Sequence, residues 1–153
     1  MAVSNVSTID SENWQLIATN TPAGTSTSST FSSLSGYRKY MVVWSGISLA
    51  SSEDFYARFN GSTSLYGAGA WYGTNNSMHY SWIPLIGTYV SNVRAGYFVV
   101  EDADKAVPHR VNGAGSSAIS ITGMHADLAA ITSIALISGA NITGTIYLYG
   151  IAS

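Results

Sequence analysis

The stretch that most constrains the fold is the end of the chain, Ile131 to Ile151, reading ITSIALISGANITGTIYLYGI. Successive side chains alternate across a strand, so Ile131, Ser133, Ala135 and Ile137 share one face and Thr132, Ile134, Leu136 and Ser138 the other. After a turn at Gly139, Ala140 and Asn141, Ile146 and Leu148 fall on one face and Thr145, Tyr147, Tyr149 and Ile151 on the other. Both faces are mostly apolar. Such strands belong inside a sandwich rather than at a wet edge, and the spacing predicts a closing hairpin of paired central strands.

The upstream segments read as strands that cover or pair with this hairpin. Residues 1–13 are polar and read as an extended arm, and 14–153 as a single domain. Trp14 to Thr19 is a first strand, stopped by Asn20-Thr21-Pro22-Ala23-Gly24, where proline fixes φ and glycine relaxes it. Thr25 to Ser35 is nearly all Ser and Thr around Phe31 and Leu34; such composition usually marks a linker, but it also suits an exposed strand with buried anchors, and it is read here as a strand. Arg38 to Leu49 is the clearest strand. It sets Tyr40, Val42 and Trp44 against Met41, Val43, Ile47 and Leu49, with Gly46 marking a bulge. Phe55, Ala57 and Phe59 alternate with Tyr56, Arg58 and Asn60, and Asn60-Gly61 predicts a hairpin turn at positive φ.

Ser62 to Tyr72 is a further strand, broken at Asn75-Asn76-Ser77. Met78 to Leu85 follows, with Pro84 indicating a sheet edge. Val93 to Val100 ends in the acidic turn Glu101 to Asp104. Lys105 to Val111 precedes a turn at Asn112-Gly113, and Ser116 to Gly123 alternates strictly. Met124 to Ala130 is ambiguous between extended chain and a short helical turn. Roughly nine or ten strands with turn signals between them, and no long helix, predict an antiparallel β-sandwich.

A chain of 153 residues suits one domain with a real core. Charged residues make up only 9%, against about 25% in ordinary soluble domains. The exterior must therefore be Ser, Thr, Asn, Gly and Tyr, a composition that suits association with copies of itself or with a larger assembly. Six Lys and Arg and a net charge of −2 argue against nucleic acid, which needs a basic face. Cysteine is absent, which excludes a disulfide framework or a thiolate metal site. No secretory signal is legible at the N-terminus. The longest apolar-rich run, Leu128 to Ile137, is too short and too interrupted to span a membrane.

Gly144-Thr145-Ile146-Tyr147-Leu148-Tyr149-Gly150-Ile151, preceded by Ile131-Thr132-Ser133-Ile134-Ala135-Leu136, resembles the closing hairpin of small β-sandwich virion proteins of tailed bacteriophages. Tyr40-Met41-Val42-Val43-Trp44-Ser45-Gly46 and Phe55-Tyr56-Ala57-Arg58-Phe59-Asn60-Gly61 fit the same pattern. The resemblance implies a jelly-roll, usually a homotrimer, serving as a capsid decoration or as a fibre or tail-tip head. It brings no catalytic residues. It further implies synthesis in the host cytoplasm and a place on the virion, capsid or tail. The implied partners are other copies of the chain, the major capsid protein or tail proteins, and for a tail location a host surface glycan.

The chemistry-bearing residues form no recognisable motif. His79, His109 and His125 lack the i, i+2 or i, i+4 spacing of ligands on one element. Glu101, Asp102 and Asp104 lack the glycine and terminal glutamate of a regular Ca²⁺ loop, so a solvated turn is the simpler reading. His125-Ala126-Asp127 has no accompanying G-x-S-x-G elbow. Glu53, Asp54 and Glu101 would serve glycoside hydrolysis only at a separation that sequence does not encode. No catalytic, metal or cofactor residue is assigned, and no enzyme activity is expected.

The patch with functional content is aromatic: Tyr66, Trp71, Tyr72, Tyr80 and Trp82, interleaved with glycines, Asn75, Asn76 and His79. Flat rings beside amides can stack on sugars. They can equally fill a core or a subunit interface, which is the preferred reading. The expectation is a non-enzymatic, homotrimeric capsid decoration (cement) protein, with a carbohydrate-binding receptor-recognition module of a tail fibre or tail tip as the alternative.

Overall fold

The computed structural model describes residues 13–72, 75–86, 94–116 and 119–153. They form twelve strands: β1 (Gln15–Asn20), β2 (Ser28–Phe31), β3 (Tyr37–Leu49), β4 (Phe55–Phe59), β5 (Tyr66–Tyr72), β6 (Asn75–His79), β7 (Ile83–Ile86), β8 (Arg94–Val100), β9 (His109–Gly115), β10 (Ile119–His125), β11 (Ile134–Ser138) and β12 (Ile142–Ala152). No helix occurs among the described residues. The expected arm at 1–13 lies outside them except for Asn13.

The strands make two antiparallel sheets, one of eight strands in the order β1-β12-β3-β8-β9-β10-β5-β6 and one of four in the order β2-β11-β4-β7. The chain changes sheet at most connections. β1, β3, the β5–β6 pair, the β8–β9–β10 meander and β12 lie in the large sheet, and β2, β4, β7 and β11 fall between them in the sequence. Alternation then explains what is buried. Tyr40, Val42 and Trp44 of β3 and Ile146 and Leu148 of β12 face Phe55, Ala57 and Phe59 of β4 and Ile134 and Leu136 of β11, and all belong to one core. The sandwich expected from the sequence is the fold observed.

Rings carry that core from sheet to sheet. Trp44 meets Phe55 edge-on at 6.2 Å and Phe98 of β8 at 6.3 Å. Phe98 meets Phe59 at 6.1 Å, and Phe59 meets Tyr66 at 6.2 Å and His125 at 5.5 Å. Each buried large side chain contributes about 1.5–3 kcal/mol by leaving water, so this chain of rings is a main source of cohesion between the layers. The large sheet makes room for it with glycine. A Cβ on Gly96 would run into the Trp44 ring, and one on Gly113 would run into the Tyr97 carbonyl and Phe98.

Several sequence expectations need correction. β11 and β12 are both interior strands, but they do not pair with each other: β11 lies between β2 and β4, β12 between β1 and β3. The turn at 139–141 crosses between layers instead of closing a hairpin. Asn60-Gly61 has the expected positive φ, 53° and 69°, yet it too joins strands of opposite sheets. Ile47 and Leu49 are buried with Tyr40, Val42 and Trp44, because the register shift between Trp44 and Ile47, with Gly46 at φ 66°, reverses the alternation. Asn112-Gly113 is no turn but the middle of β9, paired on both sides. Asn75 to Ser77 begins β6 rather than breaking a strand, and the expected Met78 to Leu85 strand is divided between β6 and β7. Pro84 lies on β7, an edge strand, as its missing N–H requires.

Candidate functional site

The structure gathers its unusual chemistry at one end of the sandwich. His109 opens β9 and His125 closes β10, directly opposite in register. Both face inward and both are fully buried. Their rings stack at 6.2 Å and 21°, and His125 also lies on Tyr66 at 4.5 Å. Sixteen residues of sequence hide a pairing that one hairpin register creates.

The two histidines have opposite hydrogen-bond environments. His109 Nδ1 is 3.1 Å from the Asp102 carbonyl oxygen and Nε2 is 2.8 Å from that of Ala129. A carbonyl only accepts, so a neutral ring donates to one of the two and a protonated ring to both. The ring thereby joins the β8–β9 turn to the β10–β11 link, which Ile131 N reinforces by donating to the Ala103 carbonyl at 2.8 Å. Neither nitrogen of His125 has a hydrogen-bond partner. Its pKa is pushed down by burial, with Asp127 raising it and His109 lowering it by smaller amounts. In the acidic turn, Lys105 Nζ sits 2.7 Å from Asp102 Oδ1 and holds that carboxyl below its usual range. Among the described residues no group of three or more His, Cys, Asp or Glu is placed to hold a metal ion.

Exposed apolar side chains lie on the segments that flank this pair. Leu65 precedes β5, Met124 is on β10, Leu128 follows it and Val107 precedes β9, and all four are exposed large hydrophobics. The elements that bear them converge: Ala126 N donates to the Leu65 carbonyl at 2.8 Å, and His109 reaches Ala129. Leu65 has φ 68°, a backbone region that a bulky residue enters at a cost of about 1–3 kcal/mol and keeps only where its surroundings enforce it.

The sequence-selected aromatics divide. Tyr66 is a core residue: its hydroxyl accepts from Phe59 N at 2.8 Å, and burial pushes its pKa to about 12. Tyr80 is exposed. Trp82 is half-buried and already engaged, with Tyr56 at 5.0 Å, His79 at 5.5 Å and the Arg58 guanidinium at 5.9 Å. The side chains of Trp71 and Tyr72 lie outside the described set, although their backbones pair with Ser120 and Ile119. Sequence reasoning missed a second surface, a depression of about 540 Å³ on the outer face of the large sheet, lined by Trp14, Tyr97 and Asn112 among others. Its signal was present in the solvent-side positions of β3 and β8, where Met41, Val43, Tyr97 and Val99 stand in place of charged residues. Compared with known proteins, the chain matches no family model and no curated sequence.

Proposed function

We propose that the chain is a non-enzymatic structural component of a bacteriophage particle, a homotrimeric capsid decoration protein that binds the major capsid protein on the particle surface. One observation carries the self-association: Leu65, Val107, Met124 and Leu128 are held out at one end of the sandwich, with Leu65 in a strained conformation. Large apolar side chains left in water on neighbouring segments suit an association surface. A protein with only 9% charged residues has little to oppose contact between identical copies. The strand orders β1-β12-β3-β8 and β2-β11-β4-β7 support reading these eight strands as a jelly roll, to which β9-β10-β5-β6 add the rest of the large sheet.

Light scattering coupled to size exclusion tests the proposal, together with cosedimentation on expanded, empty phage heads. The expected result is a trimer that binds heads. Leu65→Asp combined with Leu128→Asp places charges where apolar contacts should form and costs the assembly about 3 kcal/mol per subunit. A wild-type monomer, or a trimer untouched by the double substitution, would refute the assignment of this surface.

A further inference from the structure

We propose that the depression on the outer face of the large sheet is a binding site for a neutral oligosaccharide. Its floor is a rung of side chains fixed by strand register: Met41 opposite Val99, Val99 opposite Asn112, and Asn112 opposite Thr122. Four strands spaced about 4.8 Å apart make this rung about 14 Å long, enough for a short run of sugar rings. Trp14 and Tyr97 line the same depression, with Ser120 and the Lys39–Glu101 pair, whose charged atoms are 3.8 Å apart. Its volume of about 540 Å³ lies in the range of small-ligand sites.

The chemistry selects the ligand class. Indole and phenol faces stack on the C–H faces of sugar rings, and amides and hydroxyls exchange hydrogen bonds with sugar hydroxyls. Among the lining residues one cation is paired with one carboxylate, so no net positive charge is offered to a phosphate or nucleic acid. Polar groups across the floor disfavour a purely apolar ligand. A peptide added as a strand would need an open sheet edge, but β3, β8, β9 and β10 are all interior strands paired on both sides. A site built on paired strands is also rigid and preorganised for its ligand. This surface is separate from the Tyr80–Trp82 cluster and goes beyond the structural role proposed above.

The test is affinity electrophoresis and calorimetry of the full chain with maltohexaose, cellohexaose, chitohexaose and dextran as probes. At least one probe should bind. Tyr97→Ala and Trp14→Ala should each weaken binding by at least ~10-fold, with the melting temperature and the oligomeric state measured in parallel and unchanged. Asn112→Ala, at an exposed position, serves if either aromatic variant fails to fold. Binding to none of the four probes would overturn the proposal. So would binding that survives the Tyr97, Trp14 and Asn112 substitutions but is lost in Trp82→Ala. Because oligomeric state is read independently, failure here is distinguishable from failure of the trimer.

Discussion

Replacing Asn60 should expose how the small sheet is tied at one end. Its Oδ1 accepts from Thr132 N at 2.8 Å, Thr132 Oγ1 at 3.1 Å and Ser133 N at 3.2 Å, and its Nδ2 donates to the Ala130 carbonyl at 3.0 Å. The backbone adds a bond from Asn60 N to the Ser133 carbonyl at 3.0 Å. One side chain thus closes the β4–β11 end and fixes the entry into β11. Thr132 is exposed and can turn to water, so the side-chain bonds together are worth about 2 kcal/mol rather than the sum of four. Asn60 also sits at φ 53°, where alanine costs about 1 kcal/mol more than glycine. Asn60→Ala should therefore lose about 3 kcal/mol, and Asn60→Gly about 2 kcal/mol. Urea unfolding followed by tryptophan fluorescence measures both, with the slope checked for constancy. A loss below about 0.5 kcal/mol in Asn60→Ala would refute the clamp, since ordinary surface substitutions fall within that range.

Two further predictions concern the core. Gly96→Ala drives a methyl into the buried Trp44 ring. Overpacking of this kind costs about 1–3 kcal/mol, visible as a lower urea midpoint and altered near-ultraviolet circular dichroism, and a wild-type midpoint would show that Trp44 moves freely. His125 has a folded pKa below its unfolded one, so the unfolded chain takes up the proton first as pH falls. Its contribution is fully present above the unfolded value of about 6.5 and is lost as pH drops from there toward the folded value, at up to about 1.4 kcal/mol per pH unit. His125→Phe keeps a ring against Tyr66 and should flatten that part of the stability–pH curve; equal slopes in the two proteins would refute the buried neutral assignment.

The candidate sites were legible to different degrees. Sequence marks Tyr66 and Trp82 only as ring-bearing residues; packing reveals that Tyr66 anchors the core through Phe59 N and that Trp82 is engaged by Tyr56, His79 and Arg58. In sequence His109 and His125 stand as isolated histidines, because the contact between them depends on the β9–β10 register. Trp14 and Tyr97 were hidden for the same reason. They meet on one surface only after β1 pairs with β12, β12 with β3 and β3 with β8.

Local sequence established that this chain is all β, where most of its strands run, and which face of β4 is buried. These are local properties: side-chain alternation, turn residues and the φ preferences of glycine and asparagine act within a few neighbours. Tertiary structure alone decided which strand lies beside which. A turn such as Gly139-Ala140-Asn141 serves a hairpin and a crossing between sheets equally well, and alternation names the buried face without naming the partner across it. The choice is made by distant contacts, Trp44 over Gly96 and Phe59 against Phe98, whose energies have no local trace.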